Sequence, residues 1–253
     1  MVALYIPTSA CAMRIPIPIL MFHQIGKPPE RGAPYRSLTV PASRFRRHMQ
    51  WLAFCGWRGL SMHALMPYLR GEKTGKVFGL TFDDAYLNVH THALPVLREM
   101  SFSATTYVVA GAIGKTNIWD AAEGVEQVPL MNRLGLLEWI AAGNEIGAHA
   151  WDHCHLTRCN NTDLRHQIVD GRRLLQSEFN RPIDAFCYPY GDYDDRVARL
   201  VQQAGYSNAT TTERGRVHPD HDPYTLPRVH VHRHTPTLAL IRKCITSYED
   251  RRT

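Results

Sequence analysis

Residues 80–90 read LTFDDAYLNVH. The aspartates Asp83 and Asp84 close an apolar run, Val77-Phe78-Gly79-Leu80-Thr81-Phe82, that has the look of a buried strand. Two adjacent carboxylates at the end of a core strand are costly unless a cation or a catalytic task holds them. The reading of fold and function therefore depends on what the rest of the chain brings to this point.

Working outward, strand-like and helix-like segments alternate. Strands are expected at 15–22, 77–82, 104–110, 145–150, 185–190, 208–212 and 228–232. Helices are expected at 41–55 (stopped by Gly56), 89–100, 130–142 (closed by Gly143), 163–179 (with Thr162 as N-cap), 194–204 and 238–248. This alternation predicts an α/β fold, a parallel sheet covered by helices that is either open or closed into a barrel. In such folds the reacting groups gather at the carboxyl ends of the strands. Asp83 and Asp84, His149 and His153, and Tyr190 with Gly191 all stand at such ends.

The stretch GAHAWDHCHL supplies His149 and His153 in a His-x-x-x-His spacing, with His155 close behind. Two imidazoles and one carboxylate make a three-ligand set that leaves a position for water, as in catalytic rather than structural zinc sites. A cation there would let one aspartate bind while its neighbour stays free as a base.

Thr81-Phe82-Asp83-Asp84, then His149-x-x-x-His153, then Tyr188-Pro189-Tyr190-Gly191 resemble the ordered motifs of the polysaccharide deacetylases, the NodB-homology domains of carbohydrate esterase family 4. Met21-Phe22-His23-Gln24 is similar to the start of their exopolysaccharide-associated branch. The resemblance implies a distorted (β/α)7 barrel, TIM-like and in one domain, and hydrolysis of N-acetyl groups on an amino sugar. Carried over residue by residue, it implies that Asp84, His149 and His153 bind a divalent metal, zinc by default, with cobalt, nickel or iron also suited to such ligands. Asp83 is then the general base, and the Tyr190 backbone N–H helps stabilise the oxyanion.

The chain departs from the family pattern at several positions. Ala85 replaces the usual glycine and asks for a negative-φ turn. Ala150 replaces a residue whose hydroxyl steadies the histidine loop. Cys187 stands where an arginine usually steadies the base, and Arg228, in LPRVHVH, is the candidate to supply that guanidinium from a neighbouring strand. The general acid is expected near the last strand, with His230 ranked ahead of His232, equal in strand parity, and His23 third. Trp119-Asp120 is a candidate wall of the sugar groove.

With 253 residues and 44% hydrophobic content, the chain can bury one large core. We expect an N-terminal extension at 1–14, a deacetylase domain at 15–248 and a tail at 249–253. The net charge of +6 comes in short arginine clusters, which gives no case for nucleic acid as a partner. The N-terminus is a poor signal peptide, which favours a cytoplasmic protein, with loose inner-membrane attachment and export as open alternatives. Six scattered cysteines suit reduced thiols, and Cys154 and Cys159 lack the spacing of a second zinc site. The expected partner is an N-acetylated glycan or its carrier-linked precursor. Two other readings stay open: an amidase or imidase acting on a small non-sugar amide, and a non-catalytic glycan-binding module.

Overall fold

A computed structural model describes residues 15–251. The extension assigned to 1–14, with Cys11, lies outside the described residues, as do Arg252 and Thr253. In chain order the elements are β1 (Ile19–Phe22), β2 (Gln24–Ile25), β3 (Thr39–Val40), α1 (Ala42–Phe54), β4 (Arg58–Leu60), α2 (Met62–Leu69) and β5 (Val77–Phe82). Next come α3 (Leu87–His92), α4 (Leu94–Met100), β6 (Thr105–Val108), α5 (Arg133–Ala141), β7 (Glu145–Ala148), α6 (Asn161–Arg165) and α7 (Gly171–Phe179). The chain finishes with β8 (Ala185–Cys187), α8 (Asp195–Gln203), β9 (Asn208–Arg214), β10 (Leu226–His230) and α9 (Thr237–Ile245).

The sheet is closed, and it is parallel throughout. β1 pairs with β10 on one side and with β5 on the other, while β5 to β10 follow in order apart from the added β4. The result is a seven-stranded barrel. β4 sits outside the ring, paired with Val77–Gly79, the first half of β5, while β6 takes Thr81 and Phe82. Neither β4 nor α2 is legible in the sequence, because Arg58-Gly59-Leu60 is too short to show a period and α2 carries Pro67 inside it.

Every residue of β1 and β5 is buried, as strands covered on both faces require. Phe22, Phe45, Phe82 and Trp139 pack ring on ring beneath the helices, with centroids 5.3–5.9 Å apart. A smaller buried cluster includes Ile19, Val77, Tyr107, Ala185 and Cys187.

Two helices differ from expectation for local reasons. The helix expected at 89–100 is split in two, since Pro95 opens α4 and cannot donate to a preceding turn. The helix expected from 163 starts earlier: Asn160, not Thr162, is the cap, accepting from the Asp163 amide at 2.9 Å. That helix is also interrupted by a π-helical turn, His166–Asp170. Glu249 and Asp250, placed in the expected tail, are packed: Lys243 Nζ lies 2.9 Å from Glu249, and Arg216 Nη2 lies 2.6 Å from Asp250. No helix among the described residues is long and apolar enough to cross a membrane.

Candidate active site

The loops after β5, β7 and β8 meet over the barrel's carboxyl end. Asp84 Oδ1 stands 3.5 Å from His149 Nε2 and 3.3 Å from His153 Nε2. Asp84 Oδ1 and His153 Nδ1 are buried with no hydrogen-bond partner, an arrangement that proteins seldom leave uncompensated. His149 Nδ1 donates to the Cys187 carbonyl at 2.7 Å, which turns the Nε2 lone pair toward Asp84. Burial raises the Asp84 carboxyl from 3.8 to about 7, and burial holds the His153 imidazole well below its ordinary value.

These residues fit a divalent cation. Ligand atoms held at about 2.0–2.1 Å from one tetrahedral centre lie about 3.3–3.4 Å from each other, close to the two spacings observed. A cation would also satisfy the orphaned oxygen and offset the buried charge.

Asp83 has a different environment. Arg228, fully buried, donates to it twice, Nη1 to Oδ1 at 2.7 Å and Nη2 to Oδ2 at 2.8 Å. The remaining donors of the guanidinium are used as well: Nε bonds the Thr211 carbonyl at 2.7 Å, and Nη1 reaches Thr81 Oγ1 at 3.1 Å. Burial alone would raise Asp83, but Arg228 outweighs it and keeps this carboxyl well below the carboxylate range. Cys187, in the position where the resemblance expects arginine, packs its sulfur 3.2 Å from Arg228 Nη2, and burial pushes its thiol upward. A small side chain on β8 thus leaves space for an arginine from β10.

The histidine favoured as general acid is not in the pocket. His230 Nε2 is tied to the Thr212 carbonyl at 2.7 Å, and neither His230 nor His232 is among the pocket-lining residues. Arg228 turns onto Asp83, whereas His230, two residues on, spends its Nε2 on the Thr212 carbonyl of β9. The structure brings His23 there instead, with Nε2 at 3.8 Å from Asp83 Oδ2. Burial lowers this imidazole to about 4, against the pull of Asp83.

The site loops are strained. Of eight non-glycine residues with positive φ among those described, Asp84, Ala85, Ala150, His153 and Tyr190 belong to these three loops, where such strain tends to cluster. Ala85 does not make the negative-φ turn expected of it; its φ is 54°. The Met131 amide on its carbonyl at 2.8 Å and its complete enclosure hold it there.

Tyr190 braces the loop that carries His153: its ring stacks on His155 and meets His153 edge-on, both at 4.4 Å. Its hydroxyl donates to Asp120 at 3.2 Å. Trp119 also stacks on His153, at 4.7 Å, and Asp120 rather than Trp119 lines the cavity. Tyr35, Leu38, Tyr86 and Val125 are among the other wall residues; they sit in loops and a short 3-10 turn with no periodic pattern, so nothing in the sequence marks them. Cys154 and Cys159 bring their sulfurs to 3.4 Å as free thiols behind this loop.

A family model described as polysaccharide deacetylase matches residues 70–209. The chain is 28% identical over 218 residues to YxkH of Bacillus subtilis, a protein named provisionally as a polysaccharide deacetylase; the match spans 85% of this chain and 71% of that one. It is 21% identical over 204 residues to the poly-beta-1,6-N-acetyl-D-glucosamine N-deacetylase of Staphylococcus aureus, spanning 77% and 68% of the two chains. Among solved structures, the Streptococcus pyogenes deacetylase PplD in complex with acetate superposes with a TM-score of 0.77 at 22% identity, covering 91% of this chain and 99% of that one. IcaB from Ammonifex degensii gives 0.76 at 21% identity, covering 92% and 98%. At these identities the structural likeness is one of fold.

Proposed function

The chain belongs to the polysaccharide deacetylase family, and from that premise we propose that it is a metal-dependent hydrolase removing N-acetyl groups from an amino-sugar polysaccharide or its precursor. The observation that carries this reading is Asp84 Oδ1, buried without a hydrogen-bond partner and 3.3–3.5 Å from two imidazole nitrogens. The similarity to a poly-beta-1,6-N-acetyl-D-glucosamine N-deacetylase supports a polymeric amino sugar as substrate.

Asp84, His149 and His153 would hold the ion, with zinc the default for this donor set and cobalt, nickel or iron also suited. When bound, such an ion supplies a Lewis acid that lowers the pKa of water and polarises an amide carbonyl. Asp83 accepts the proton of the attacking water, and Arg228 keeps it ionised and fixed in orientation. The Tyr190 N–H donates to the oxygen on which charge develops. His23 takes the acid role expected of His230. Held neutral, it relays the proton from Asp83 to the amide nitrogen as the C–N bond breaks, so that the acetyl group leaves as acetate with the oxygen of water and a free amine stays on the sugar.

Acetate release from β-1,6-linked N-acetylglucosamine oligomers, measured with metal content, tests this reading. Asp83→Asn keeps an acceptor for Arg228, so it should bind metal normally and lose nearly all turnover. His23→Gln should lower kcat by a factor of about 10²–10⁴, the usual range for a lost general acid or base, while His230→Gln stays near wild type. Metal-loaded wild type that releases no acetate from any amino sugar would leave the glycan-binding module standing, and hydrolysis of ring amides alone would favour the imidase reading.

Gly191 gives a separate check on the oxyanion donor. It has φ +73°, and a Cβ there would lie 1.9 Å from Thr212 Oγ1. Gly191→Ala should therefore displace the Tyr190 amide and lower kcat by on the order of a hundredfold or more, with metal content unchanged. Equal turnover would remove that amide from the mechanism.

A further inference from the structure

Ala150 offers no hydroxyl to the loop that carries His153, yet that loop is held at four backbone groups. The Ala150 and Trp151 carbonyls accept from the Ala110 amide at 3.0 Å and the Gly111 amide at 2.7 Å. The amides of Trp151 and Asp152 converge on a single atom, Gln167 Oε1, at 3.1 and 3.2 Å. Two successive amides can point at one acceptor because Ala150, just before them, is left-handed, with φ 59°. His153 follows directly, with φ 63°. The acceptor therefore fixes the two peptide units that lead into a ligand whose own backbone is strained.

Gln167 is buried, at 4% exposure, and belongs to the π-helical turn between α6 and α7. One inserted residue in a helix changes which side chains face inward, and such insertions recur at functional sites. Here the turn is anchored by the Tyr206 hydroxyl, which donates to the Ile168 carbonyl at 3.1 Å. A buried amide side chain aimed at two backbone donors is costly to place unless both bonds form.

We propose that Gln167 is a positioning residue for the metal centre: it holds His153 in ligating geometry through the Trp151 and Asp152 amides, in the role of the hydroxyl that Ala150 lacks. The proposal rests on the reading of His153 as a metal ligand. Gln167 itself touches neither metal nor substrate. The ring of Trp151 also packs on His166, with centroids 4.3 Å apart, so packing and hydrogen bonding must be told apart.

The test is titration of the metal-free full-length chain with Co²⁺, followed by visible absorption, for wild type, Gln167→Met and Gln167→Glu. Methionine keeps the volume and removes the acceptor, whereas glutamate keeps an oxygen for both amides. Gln167→Met should bind cobalt more weakly by on the order of 10- to 100-fold, as losses of supporting bonds behind a ligand do, and should show an altered spectrum. Gln167→Glu should restore the affinity. Wild-type affinity in folded Gln167→Met overturns the proposal, as does equal weakness in both variants. Should Gln167→Met fail to fold, amide exchange in the wild type decides: slow exchange at Trp151 and Asp152 supports the proposal, and unprotected rates overturn it. Wild type that takes up no cobalt would bring down the metal reading and this proposal together, unlike a difference confined to the variants.

Discussion

Asp84→Asn should abolish acetate release while leaving the metal-free protein at least as stable as wild type. The reason is electrostatic. With no cation, the fold holds a buried carboxyl whose charged form is penalised, so its pKa rises from 3.8 to about 7. A raised pKa on an acid means that stability is fully present below about 4 and is lost as pH climbs toward 7. Asparagine does not titrate, so in the presence of a chelator the melting temperature of Asp84→Asn should exceed that of wild type by a gap that opens between pH 4 and pH 7 and then levels off. Adding zinc should reverse the order. Ligand at a thousand times its Kd stabilises the native state by about 4 kcal/mol, a gain open only to wild type. Melting curves with and without chelator check this, and a variant that still gains from zinc would show that Asp84 is not a ligand.

Arg228→Met should be the most damaging single change to the fold itself. The guanidinium is fully buried and bidentate on Asp83, and removing one partner of such a pair costs about 3–5 kcal/mol because a charge is left buried alone. A cost of that size is a large share of a domain's total stability. The double variant Arg228→Met with Asp83→Asn removes both charges and should recover most of the loss while remaining inactive. Denaturant unfolding of the singles and the double closes the cycle. If the double is no more stable than Arg228→Met, the pair is not what the arginine stabilises.

The sequence carried the architecture well where strands were apolar and bounded. Val77 to Phe82, with its terminal aspartates, located both a central strand and the site, and the strand-end rule placed His149, His153 and Tyr190 beside it. Arg228 was readable as a partner for Asp83 only because Cys187 stands where the family pattern has arginine. The rest was hidden for physical reasons. Short β4 has no period, and a π turn leaves no trace in composition, so Gln167 could not be singled out. Parity fixes only which face of a strand a residue takes, so it does not reveal that His230 Nε2 is tied to the Thr212 carbonyl while His23 lines the cavity. The left-handed turn at Ala85 is set by enclosure and by the Met131 amide, neither of which is local.

The ring closes where β1 meets β10, and the ion pair on Asp83 spans 145 residues of chain. During synthesis at roughly 5–20 residues per second, Asp83 emerges about 7–30 s before its counter-ion. Throughout that interval the nascent sheet has open edges and a core strand ending in uncompensated negative charge. The last strand therefore both shuts the barrel and neutralises its centre, which makes the late arrival of residues 226–230 the step on which cooperative folding depends.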